Sequence, residues 1–209
     1  PKETGAHVNR VAGYALEIFE QWARRHELPS KEIERDRDML RMAAMMHDVG
    51  KVAISDMILK KPDRLAEDEF GIMKQHTVLG ARLFLDRQSD FDTAAGQVAL
   101  NHHERWNGSG YPGHIDVATG RPHKENALPD GSAKGKVGEE IPLFGRIVCL
   151  ADVYDALSSA RSYKEAWDEG RVLEAISEGA GSMFDPELVE IFLSRMDVIR
   201  SIQRRYEEK

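Results

Sequence analysis

Eight histidines are spread over 209 residues, and four of them stand where apolar helices should end or turn inward: His47, His76, His102 and His103. Asp48 follows His47, the pair His102-His103 is contiguous, and Asp152 closes an apolar run, Ile147-Val148-Cys149-Leu150-Ala151. Imidazole plus carboxylate without thiolate is the donor set of hydrolytic or redox Fe, Mn, Ni or Zn centres. The single cysteine, Cys149, excludes a zinc finger and an internal disulfide framework, and fits a reducing compartment. Neighbouring residues on a helix point about 100° apart, so a His-Asp pair can grip adjacent positions of a multinuclear site. Each residue alone says little, since a lone helical His is more often a hydrogen-bonded residue and a lone Asp a cap. The ordered series carries the signal.

Helices must position these groups. Val8, Val11, Ala12, Ala15, Ile18, Phe19 and Trp22 recur at three- and four-residue steps and predict a first helix to about Arg25. Pro29-Ser30 breaks it, with Ser30 as the expected N-cap of a second helix reaching about Val49-Gly50. A third is expected from about Ala66 to Arg87 and a fourth from about Asp92 to His102-His103. A mostly buried helix follows Ile141-Pro142, and a last one starts at Asp185-Pro186. No segment alternates as a strand should. The expected fold is all-α, a single helical-bundle domain over residues 1–209.

The net charge of −7 argues against a nucleic-acid polymer as partner, and no apolar run is long enough to span a membrane. The first residue is Pro1, from which we expect a piece of a longer polypeptide.

Five spaced elements go further. His47-Asp48-Val49-Gly50-Lys51 resembles an HD-x-GK element, and His102 to Pro112 (HHERWNGSGYP) resembles the element that names the HD-GYP subgroup of the HD superfamily. Ile141-Pro142-Leu143 with Ala151-Asp152-Val153-Tyr154-Asp155-Ala156-Leu157 is similar to a third signature of that family. Ser159 to Lys164 resembles a fourth, except that Ser162 stands where Pro is usual; Gly181 to Pro186 resembles its closing G-x-x-FDP.

The resemblance implies an HD-type bundle acting as a cytoplasmic, metal-dependent phosphodiesterase on the bacterial second messenger cyclic di-GMP. The product would be pGpG and then GMP, by attack of a metal-bridging hydroxide. It implies His47, Asp48, His76, His102, His103 and Asp152 as metal ligands, with Glu3 and His7 added through Glu3-Thr4-Gly5-Ala6-His7. Two or three divalent ions are then expected, Fe or Mn first, with Ni and Zn also compatible. Asp48 would bridge two metals, Lys51 would touch the site or the phosphate, and Asp155, one turn after Asp152, would orient the nucleophile or take its proton. Arg161 and Lys164 would hold phosphates, while Gly110 would admit phosphate and Tyr111 or Trp106 would stack on guanine. An upstream sensor or receiver region is the partner expected in the same polypeptide.

Residues 113–140 depart from the family, which passes quickly from Tyr-Pro to Ile-Pro-Leu. This insertion lacks periodicity and carries His114, His123 and several turn dipeptides. A surface insertion is favoured slightly over a lid or a partner contact. Other readings are an HD hydrolase for another nucleotide, including cyclic GMP-AMP, and a non-catalytic dinucleotide receptor or adaptor. The latter normally lacks ligands, and none is missing here.

Overall fold

The computed structural model describes residues 5–86, 88–159 and 167–206. Its frame is set by two helices. In α1 (Gly5–Arg25), Val11, Tyr14, Ala15, Ile18 and Phe19 fall on one face and are fully buried. In α7 (Leu143–Ser158), Ile147, Val148, Leu150, Ala151 and Tyr154 bury both faces, so this helix runs through the interior. α1 packs on α2 (Ser30–Met45) and on α7, and α7 packs on α6 (Asp90–Asn101). Edge-to-face contact between Tyr14 and Tyr154, with ring centroids 5.2 Å apart, locks the α1–α7 crossing.

Between α2 and α6 lie a 3-10 turn, Val49–Ala53, and the short helices α3 (Asp56–Leu59), α4 (Glu67–Lys74) and α5 (His76–Arg82). The C-terminal part consists of α8 (Glu169–Glu178), α9 (Pro186–Ser194) and α10 (Met196–Arg205). Among the described residues there are isolated β-bridges but no strand, so the fold is all-α as expected. No helix of the described residues is long and apolar enough to cross a membrane.

Several boundaries differ from expectation. α2 stops at Met45, so His47 and Asp48 sit in the turn after it rather than on it; Ser30 opens that helix, and Pro29 takes the cap position. The helix expected over 66–87 is broken at Gln75. There His76 Nδ1 donates to the Met73 carbonyl at 2.6 Å and Thr77 Oγ1 to the Lys74 carbonyl at 3.0 Å, so side chains satisfy the end of α4. The last helix is broken at Arg195, whose Nε donates to Glu17 at 2.6 Å. α8 was not anticipated at all; Asp168 caps it, accepting from Arg171 N at 3.1 Å, and Val172 and Ile176 bury its inner face.

The insertion is folded. Its ends run side by side, with His114 N donating to the Lys134 carbonyl at 2.9 Å and single bridges at Asn107–Val137, Ile115–Pro122 and Ala127–Ala133. Ile115 joins Ala81 and Leu100 in a small apolar cluster separate from the main core, with Val78, Val117 and Ala133 packed against it.

Candidate metal centre

The turn after α2 delivers His47 and Asp48, α5 opens on His76, and α6 ends at Asn101, leaving His102 and His103 in the turn beyond it. α1 contributes His7 and α7 contributes Asp152. Gly50 makes the approach of the first two elements feasible. A side-chain carbon there would overlap the His76 carbonyl and the backbone of Gly80, so only glycine lets the 3-10 turn lie directly on α5.

The donor atoms fall into two groups, Asp48 with His76, His102 and His103, and His7 with His47 and Asp152; within each, one donor atom per residue lies within 4.8 Å of the others. Asp48 reaches toward both. Its Oδ1 has His76 Nε2 at 3.0 Å and His102 Nε2 at 3.5 Å, while its Oδ2 has His47 Nε2 at 3.2 Å. Asp152 Oδ1 lies 3.6 Å from His7 Nε2 and 3.8 Å from His47 Nε2.

The outward nitrogens fix the tautomers. His47 Nδ1 lies 2.7 Å from the Ala44 carbonyl, and His102 Nδ1 lies 3.1 Å from those of Val98 and Ala99. Since a carbonyl only accepts, Nδ1 carries the proton in these rings and in His76. In His7, Nδ1 faces Asp155 Oδ2 at 2.8 Å. Their Nε2 atoms therefore turn inward, toward carboxylates and toward one another; His76 and His102 Nε2 are 3.3 Å apart. Two acceptors at that distance repel. His47 Nε2 and Asp48 Oδ1 are buried and find no well-formed hydrogen bond, an expensive arrangement unless a cation sits between them. The donor set thus fits divalent cations, and the outer hydrogen bonds are of the kind that orient metal-ligating imidazoles.

Charge is divided within the cluster. Burial holds the imidazolium form of His103 well below its ordinary value, helped by His102 and His76, and burial also lowers His102. Both rings are neutral donors at neutral pH. Burial opposes charge on His47 as well, but the Asp48 carboxylate outweighs it and pushes that ring up to about 9. Burial likewise opposes the Asp48 carboxylate, yet His47, His102 and His76 hold it well below the usual carboxylate range. Without cations this group calls for positive charge.

Other anticipated residues have other partners. Asp155, expected to orient the nucleophile or take its proton, is 1% exposed, and its oxygens take Arg10 Nε at 2.6 Å, Arg10 Nη2 at 3.0 Å and His7 Nδ1. It stands behind His7. Trp106, expected to stack on guanine, donates its backbone N–H to the Met183 carbonyl at 3.1 Å, and its ring lies 5.7 Å from the Arg146 guanidinium of α7 and beside Gly138 of the insertion. Gly110 serves the turn itself, because a side chain would overlap the backbone of Glu104 and Arg105. Tyr111 stacks on His103, with centroids 4.9 Å apart, and meets Phe70 edge-on at 6.4 Å, so its ring packs on a candidate ligand. Lys51 Nζ pairs with Asp48 Oδ2. Glu3, Arg161 and Lys164 lie outside the described residues.

Sequence reasoning missed Arg10 and Glu104. Arg10 is nearly buried in α1 and also donates to the Tyr206 carbonyl at 3.0 Å; an arginine on the apolar face of an amphipathic helix was the available signal. Glu104, directly after the His pair, is 2% exposed and accepts from Gly113 N at 2.5 Å.

A family model described as the HD domain matches residues 4–157. Two curated bacterial relatives share much of the sequence. The 3'3'-cGAMP-specific phosphodiesterase 2 of Vibrio cholerae is 37% identical over 202 residues, covering 97% of this chain and 33% of that protein. The cyclic di-GMP phosphodiesterase response regulator RpfG of Xanthomonas campestris is 42% identical over 190 residues, covering 91% of this chain and 43% of that protein. The chain thus spans less than half the length of either. Among solved structures, a cyclic GMP-AMP-specific phosphodiesterase of Vibrio cholerae matches with a TM-score of 0.59 and 20% identity over 96% of this chain and 48% of that one. That likeness is one of fold.

Proposed function

The chain belongs to the HD domain family and carries the HD-GYP motifs, and from that premise we propose that it is a cytoplasmic, metal-dependent phosphodiesterase that opens cyclic di-GMP to pGpG and then to GMP. The observation that carries this reading is the placement of Asp48, one oxygen toward His76 and His102 and the other toward His47.

Two cations, or three if Glu3 joins, would be held by Asp48, His76, His102 and His103 on one side and by His7, His47 and Asp152 on the other; Fe or Mn suits these donors best. Bound there, they would activate water and offset the negative charge that builds on phosphorus. The chain's own groups do the rest. Asp48 would hold both sides in register, and Lys51, half-buried beside it, would offer a positive charge to a substrate phosphate once the carboxylate is shared with metal. Asp155 and Arg10 would keep the His7 ring turned inward. Tyr111 would keep His103 from rotating away. Arg161 and Lys164 remain candidates for phosphate binding.

Cyclic GMP-AMP is the second substrate reading, favoured by the 37% identity to a phosphodiesterase named for that compound. A receptor or adaptor without catalysis is disfavoured by the complete donor set. Anaerobically purified protein reconstituted with Fe(II) or Mn(II) and offered both dinucleotides tests the assignment. Release of pGpG, abolished by the double variant His102→Ala/His103→Ala, is expected. Intact cyclic di-GMP under both metals, with another nucleotide cleaved, would overturn it.

A further inference from the structure

The insertion makes contacts that neither a tolerated surface loop nor a lid requires. Its first and last turns both reach the same carboxylate. Glu104 Oε1 accepts from Gly113 N at 2.5 Å and Glu104 Oε2 from Lys136 N at 3.4 Å. The Lys136 side chain then runs inward, and its Nζ donates to Asn101 Oδ1 at 2.5 Å. Asn101 is the last residue of α6, 2% exposed, and immediately precedes His102-His103. The insertion thus holds both flanks of the His pair, through Asn101 on one side and Glu104 on the other.

Its far side is tied to α5, the helix that begins with His76. Ile115 and Val117 pack with Ala81 and Val78 of α5 and with Leu100 of α6. Arg82 Nε, at the end of α5, donates to the Val117 carbonyl at 2.8 Å. None of these contacts touches the helices that carry His7 and Asp152.

We infer that residues 113–140 are a brace clamping α5 against the end of α6, and that Lys136 is a positioning residue for the cation held by Asp48, His76, His102 and His103. The inference rests on the proposed metal centre. Fixing the relative placement of α5 and the α6 end fixes the distance between His76 and the His102-His103 pair, which come from separate elements with no long core helix between them. Loss of the Lys136 contact takes the partner from Asn101 Oδ1, leaving Nδ2 on the Gln97 carbonyl, and loosens the two imidazoles beside it. The His7, His47 and Asp152 position keeps its own support.

Mn(II) binding to the chelator-stripped chain, measured anaerobically by equilibrium dialysis with elemental analysis, tests this. Lys136→Met and Lys136→Arg are each placed in two backgrounds, His7→Ala, which weakens one position, and His103→Ala, which weakens the other. In the His7→Ala background Lys136→Met should reduce affinity about 10–100-fold, the usual effect of removing an outer-layer support, and Lys136→Arg should restore most of it. In the His103→Ala background Lys136→Met should change affinity less than about twofold, because Lys136 makes no contact with His7, His47 or Asp152. Unchanged binding in the first background, or equal losses in both, would overturn the brace. Wild-type protein that binds no Mn(II) would instead remove the metal centre itself. Should Lys136→Met fail to fold, Ile115→Ala makes the same comparison through the apolar anchor, with a loss again confined to the His7→Ala background.

Discussion

The two halves of the candidate metal centre stand on different scaffolds. His7 and Asp152 project from α1 and α7, two helices set deep in the main core, and the His7 ring is steadied by Asp155, itself paired with Arg10. His76, His102 and His103 come from a short helix and the end of α6, whose Ala94, Ala95 and Val98 reach the main core, with a second apolar cluster of three buried residues and hydrogen bonds from the insertion at that end. One half takes its rigidity from dense packing and a buried ion pair. The other takes it from a clamp. Disturbing the two supports should therefore give separable outcomes, whereas disturbing Asp48, which faces both, should not.

The largest effect is expected at that shared residue. Asp48→Asn removes the anionic oxygen pair, so bound metal should fall on both sides and turnover should drop to background, as read by elemental analysis and product release. Retention of one full equivalent would break the idea that a single carboxylate serves both halves. Arg10→Met comes next. It leaves the Asp155 carboxylate buried without its guanidinium, a change that costs about 3–5 kcal/mol, and denaturant unfolding should show it. Metal affinity at the His7 side should fall about 10–100-fold while the His103 side is retained.

Gly50→Ala should cost about 3 kcal/mol from overpacking, because the new methyl meets the His76 and Gly80 backbone. Binding at the His76 side should suffer most. The smallest effect is one of pH. Burial lowers the Lys136 ammonium from its ordinary value of 10.5, with Glu104 and Glu140 opposing. Between the depressed folded-state value and 10.5 the unfolded chain binds more protons than the native one, so this group makes stability rise with pH. Urea midpoints of wild type and Lys136→Met should therefore diverge in favour of wild type as pH climbs through that window. A constant difference would place Lys136 in water.

The sequence announced much of this geometry and hid part of it. His47-Asp48, His76, His102-His103 and Asp152 were legible because ligands of a multinuclear site recur at helix ends in a fixed order, and the periodicity of α1 and α7 was strong enough to place them. The breaks at Gln75 and Arg195 were not legible, because a carbonyl taken by His76 and a guanidinium held by Glu17 interrupt helices whose apolar spacing continues. α8 had a signal, Asp168 followed by Val172 and Ile176, that the motif before it overshadowed. The pairing of Asp155 with Arg10, 145 residues earlier, is a separation that spacing cannot reveal. The order within the insertion was invisible because its anchors, Ile115 and Val117, are isolated apolar residues among polar ones.

Anomalous diffraction from crystals of the chain grown anaerobically with Mn(II) tests the central claim most directly. The account predicts a peak on each side of Asp48, one among His76, His102 and His103 and the other among His7, His47 and Asp152. Density maps without such peaks, or with manganese held only elsewhere on the chain, would contradict it.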